Sequence, residues 1–139
     1  MAIVVDASIV AAWFLPDEHN DAVDQLMADL PDNPGLAPSL LWFETRNLFL
    51  TAERRGRLAA GEAALSMAQL RGLPLSDEGL GEDSLILALA VRHALSAYDS
   101  SYLALAVQRA LPLATTDRRL AAAARSEGIA LCGPLERAP

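Results

Sequence analysis

Short apolar stretches alternate along this chain with longer segments of helical period, and that alternation leaves few folds open. Ile3-Val4-Val5 reads as a buried strand. Leu36-Ala37-Pro38, Leu113-Ala114-Thr115 and Ile129-Ala130-Leu131-Cys132 read as further strands. Leu73-Pro74-Leu75 reads as another, held to a sheet edge by its proline. Helical segments fall between them. Ser8 and the apolar run Ile9 to Leu15 begin one almost at once. Asp17 is the candidate cap of a second, with Val23, Leu26, Met27 and Leu30 on one face. Ser39 is the candidate cap of a long helix to about Arg55. Others run from about Ala60 to Arg71, Leu85 to Leu95, Tyr98 to Ala110 and Asp117 to about Ser126. Strands separated by helices imply a parallel sheet covered on both faces. With right-handed crossovers, the expected fold is α/β: a three-layer α/β/α sandwich with a mainly parallel sheet of about five strands. We expect one domain over residues 1–139.

Composition narrows the chemistry. The chain is 53% hydrophobic, enough for a sizeable core, and its net charge is −7. That acidity argues against a simple basic nucleic-acid-binding surface. All 11 basic residues are arginines. A receiver domain, which would share the fold and an acidic pocket, uses a lysine there, and this chain has none. The single Cys132 cannot form an internal disulfide, which fits a reducing cytosol, and we expect a cytoplasmic protein. The apolar run Leu85 to Val91 is too short to span a bilayer, so no membrane partner is expected. No glycine-rich phosphate loop is present. His19 and His93 stand isolated, without a partner at metal-ligand spacing, and Cys132 reads as a small core residue.

Four carboxylates resist a purely structural reading. Asp6 ends the first strand, where open parallel sheets place their ligands, although it also suits the N-cap of the next helix. Glu44 follows Leu40-Leu41-Trp42-Phe43 and precedes Leu48-Phe49-Leu50. A carboxylate on so apolar a helix needs a partner, and Asn47 at i+3 is a candidate. Asp99 opens an apolar helix, and Asp117 follows the Leu113 strand to emerge at the same sheet edge as Asp6. Each of these two also suits a helix first turn. Four carboxylates around one point repel unless a divalent cation neutralises them, and oxygen-only ligands favour Mg²⁺ or Mn²⁺.

Val5-Asp6-Ala7-Ser8, Glu44 with Asn47, Tyr98-Asp99-Ser100-Ser101-Tyr102-Leu103-Ala104-Leu105-Ala106 and Thr115-Thr116-Asp117-Arg118-Arg119-Leu120 together resemble the PIN-domain family, most closely its VapC-type toxins. The resemblance covers essentially the whole chain, in order. It implies a Mg²⁺- or Mn²⁺-dependent endoribonuclease with an acidic quartet of Asp6, Glu44, Asp99 and Asp117. Asp6 and Asp99 would be direct ligands. Glu44 and Asp117 would be ligands, outer groups or water-orienting bases. Ser8, Asn47 and Thr115 match accessory polar positions. Arg46 is bulkier than the family pattern leads one to expect there. The resemblance further implies an RNA substrate, a homodimer and inhibition by a small antitoxin. Arg118, Arg119, Arg54, Arg55 and Arg57 are the candidate phosphate contacts. Trp13 and Phe14 are candidates for a partner groove. The competing expectation is a PIN-like module that binds a partner without catalysis.

Overall fold

In the computed structural model, which describes residues 1–137, the expected sheet forms. The strands are β1 (Ile3–Val5), β2 (Gly35–Ala37), β3 (Leu75–Asp77), β4 (Leu113–Ala114) and β5 (Leu131–Cys132). All pair in parallel in the order β3-β2-β1-β4-β5. The helices are α1 (Ala7–Phe14), α2 (Asp21–Asp29), α3 (Leu40–Arg54), α4 (Glu62–Arg71), α5 (Asp83–His93), α6 (Ala97–Arg109) and α7 (Arg118–Ser126). Among the described residues, no helix is long and apolar enough to cross a membrane.

β1 is central and wholly buried, which is why it reads Ile-Val-Val without a polar alternate. Val4 faces Leu36 of β2 on one side and Leu113 of β4 on the other. The chain therefore winds outward in both directions from β1. The crevice where strand order reverses lies beyond the carboxyl ends of β1 and β4. Gly35 permits the close approach of β2 to its neighbours, since a Cβ there would collide with the Leu75 side chain. α6 supplies much of the core through Tyr102, Leu103, Ala104, Leu105 and Ala106, and it packs on β1 and β4. Phe14 and Phe49 join α1 to α3 edge to face, with ring centroids 5.6 Å apart.

Several boundaries differ from the sequence expectation. Asp17 does not cap a helix: Pro16–Glu18 forms a 3-10 turn, and Asn20 caps α2 by accepting from the Val23 amide at 2.9 Å. Leu73-Pro74 precedes β3 rather than lying in it, although β3 does occupy the sheet edge. Ser39 stands at the start of α3, but its hydroxyl donates to Asp77 Oδ1 at 2.6 Å instead of capping. Trp42 Nε1 donates to the other Asp77 oxygen at 2.9 Å, so the end of β3 anchors the first turn of α3. Trp13 and Phe14 pack against the core, with Trp13 Nε1 donating to the Val23 carbonyl at 2.8 Å. Both remain partly exposed.

Candidate active site

Asp6 is 4% exposed, at the carboxyl end of β1, and it also caps α1, as its position suggests. Its Oδ1 accepts from the Ile9 amide at 3.2 Å and from Ser8 Oγ at 2.6 Å, while Oδ2 accepts from Thr115 Oγ1. Each hydroxyl has given its one proton to Asp6, so the Ser8–Thr115 approach of 3.3 Å adds no further hydrogen bond. The same hydroxyls also accept. Ser8 Oγ takes the Thr116 amide at 2.8 Å, and Thr115 Oγ1 takes the Asp117 amide at 3.0 Å. Ser8 and Thr115 thus tie the end of β1 to the end of β4, and with it set the position of Asp117.

Asp117 caps α7 through Oδ1, which accepts from the Arg119 and Leu120 amides at 2.9 and 3.2 Å. Asp99 sits in the first turn of α6, and its amide donates to the capping Ser96 Oγ at 3.1 Å. Glu44 reaches in from α3, half-buried. Its partner is Tyr102, whose hydroxyl donates to Glu44 Oε1 at 2.6 Å. The expected partner, Asn47, is exposed and makes no side-chain hydrogen bond among the described residues.

Electrostatics join the four carboxylates into one group. Burial pushes the Asp6 carboxyl up to about 6 from the ordinary 3.8, against the lowering effect of its hydrogen bonds, and Asp117 adds to the rise. Asp99 is raised first by burial and then by Asp117, with Arg119 opposing. Glu44 is raised by burial and by Asp99, while the Tyr102 bond opposes. The chain of repulsion therefore runs from Asp6 through Asp117 and Asp99 to Glu44. All donors are oxygens, and their charges oppose one another in a partly dry crevice. That donor set fits a hard divalent cation. Among the described residues, no three members of the quartet bring ligand atoms within 4.8 Å of one another. The set that does so is His19, Asp21 and Asp24, all exposed at the start of α2. His19 is thus not isolated, as its sequence surroundings suggest. Neither is His93, whose Nε2 meets Glu127.

The candidate phosphate contacts divide. Arg118, Arg54 and Arg55 are exposed, with no side-chain hydrogen bond or ion pair among the described residues. Arg119 is exposed but donates to the Ala94 carbonyl at 2.8 Å. Arg57 is exposed and paired with Asp17 at 2.8 Å and Glu18 at 2.6 Å through Nη2. Arg46 lies over the exposed Phe43 ring, 5.3 Å from its centroid, so its bulk is carried on the protein surface. Tyr102 is the functional candidate that sequence reasoning passed over. Its signal was the i, i+3 spacing from Asp99, which puts both on one face of α6.

Residues 3–126 match the family described as the PIN domain. The chain belongs to the PIN-domain family. Ribonuclease VapC3 of Pyrobaculum aerophilum is 32% identical over 126 residues, covering 87% of this chain and 93% of that relative. Among solved structures, PAE2754 of the same organism superposes with a TM-score of 0.71 at 24% identity, covering 88% of this chain and 79% of that one. VapC20 of Mycobacterium tuberculosis, described as a sarcin–ricin-loop-cleaving toxin, gives 0.65 at 22% identity, with coverage of 88% and 95%. FitAcB of Neisseria gonorrhoeae gives 0.61 at 19%, with coverage of 95% and 97%. At these identities the structures speak for the PIN fold, which this chain shares.

Proposed function

We propose that this PIN-domain protein is a divalent-cation-dependent endoribonuclease, the toxin of a toxin–antitoxin pair whose small antitoxin holds it inactive. The observation that carries the reading is the convergence of Asp6, Glu44, Asp99 and Asp117 at one sheet edge, where each of the first three has its carboxyl pKa raised. The ribonuclease name of the 32%-identical relative supplies the substrate class. In this reading Asp6 and Asp99 hold Mg²⁺ or Mn²⁺, with Asp117 beside them. Such a cation, when bound, supplies Lewis acidity: it acidifies water and offsets phosphodiester charge.

The chain's own residues do the rest. Ser8 and Thr115 hold both Asp6 oxygens in place, so the carboxylate is already oriented before anything binds. Glu44 has one oxygen held by Tyr102 and the other without a hydrogen bond among the described residues. Its raised pKa moves it toward the range in which a carboxylate accepts a proton from attacking water at neutral pH. Arg118, at the start of α7 beside Asp117, and Arg54 and Arg55 at the C-terminal end of α3, guide the RNA backbone. A homodimer belongs to the same proposal.

Expression from a tightly repressed promoter tests the toxin reading. Wild-type protein should arrest growth, and Asp99→Asn should not. Unimpaired growth with abundant soluble wild-type protein would contradict it.

A further inference from the structure

Tyr102 is 1% exposed and among the largest fully buried side chains, yet it ends in a hydroxyl. A buried phenol needs a partner, and the one it has is a carboxylate rather than a backbone carbonyl. The bond is short, 2.6 Å, and charge-assisted when Glu44 is ionised. It spans 58 residues and joins α6 to α3 across the crevice. Tyr102 also lies one turn beyond Asp99 on α6 and feels the charges of Asp6 and Asp99 as well as Glu44. Burial and that surrounding negative charge raise its own pKa, so the hydroxyl stays a donor throughout the neutral range. Glu44 has no other side-chain hydrogen-bond partner among the described residues.

We infer that Tyr102 is a positioning residue of this site: its hydroxyl fixes one oxygen of Glu44 and so aims the other at the space bounded by Asp6 and Asp99. The inference rests on the ribonuclease reading for its kinetic consequence, while the fixing of Glu44 rests on the Tyr102–Glu44 contact and its aim toward the acidic group on the influence of Asp99 on Glu44. The ring fills the core and the hydroxyl orients the carboxylate. These two roles separate in Tyr102→Phe, which keeps the ring and removes only the oxygen. Without it, a long glutamate side chain regains rotamer freedom at the moment when orientation matters.

The test is a double-mutant cycle of Tyr102→Phe with Glu44→Gln, measured for single-turnover RNA cleavage, together with crystal structures of wild type and Tyr102→Phe in chelator. Tyr102→Phe should fold like wild type and show Glu44 displaced from its wild-type rotamer. Its cleavage rate should fall about ten- to a hundredfold, with the apparent RNA affinity unchanged within about twofold. In the Glu44→Gln background the same substitution should change the rate by less than about twofold, because the carboxylate it positions is gone. Wild-type cleavage by Tyr102→Phe would overturn the inference. So would losses that multiply in the double mutant, or a Glu44 carboxylate that stays in place without the hydroxyl. If the wild type itself cleaves no RNA, the ribonuclease reading fails, while the position of Glu44 in the two crystal structures still decides whether Tyr102 holds it.

Discussion

Asp6 is at once a helix cap and a member of a repelling acidic group. The two roles predict different responses to one substitution. Asn and Asp serve about equally as N-caps, so Asp6→Asn keeps the cap of α1 while removing a buried charge. The Asp6 carboxyl is raised from 3.8 to about 6 in the folded chain, so between those values the native state holds a proton that the unfolded chain has released. Stability from this group is therefore present below about pH 4 and lost as pH rises through about 6. The penalty near neutrality is of order 3 kcal/mol. Chemical denaturation in chelator should show wild type losing stability across that window relative to Asp6→Asn. The variant should be the more stable of the two at pH 7. The same variant should lose the rise in melting temperature that Mn²⁺ gives wild type, because only binding to the folded state produces such a rise. If the pH profiles of the two proteins ran parallel, a buried charged Asp6 would be contradicted.

At the scale of elements, α3 depends on a strand that the chain reaches much later. Asp77, at the end of β3, accepts from Ser39 Oγ, Trp42 Nε1 and the Gly79 amide. Asp77→Ala should cost about 1–2 kcal/mol in urea unfolding. It should also slow RNA cleavage, since Glu44 lies in the turn that follows. α6 poses a different problem, because it ends at Ala110 with φ of 53°, a left-handed position occupied by a residue with a Cβ. Ala110→Gly relieves that strain at some entropic expense in the unfolded chain, and should raise stability by up to about 1 kcal/mol in the same assay.

These elements also show where the sequence was legible. Ile-Val-Val followed at once by aspartate placed β1, its carboxyl edge and Asp6 correctly, because strand burial and strand ends are local properties. The α5–α6 break was readable from Ser96, which caps α6. Ser39 misled as a cap because its stronger partner, Asp77, is 38 residues away. Tyr102 was hidden for the same reason: its ring reads as core and its hydroxyl meets Glu44 only after folding. Arg57 looked like a free cation until the Pro16–Glu18 turn brought two carboxylates to it.

For the whole molecule, the strand order carries the functional argument. β1 lies at the centre with sequence running outward on both sides, so one crevice collects the ends of β1 and β4, the start of α6 and an inward-facing carboxylate from α3. In a chain of net charge −7, Asp6, Glu44 and Asp99 each have a carboxyl pKa raised first by burial and further by a neighbouring carboxylate, which supports the proposed cation site. In the proposed reading, polyanionic RNA approaches that crevice once a cation offsets the local charge. The most direct measurement is cleavage of a structured RNA by the purified protein, with Mg²⁺ or Mn²⁺, with excess chelator, and with Mn²⁺ restored after chelation, alongside Asp99→Asn. The account predicts cleavage with either cation, none in chelator, recovery on adding Mn²⁺ back, and background rates for Asp99→Asn throughout. Robust cleavage in excess chelator, or an Asp99→Asn variant as active as wild type, would contradict it.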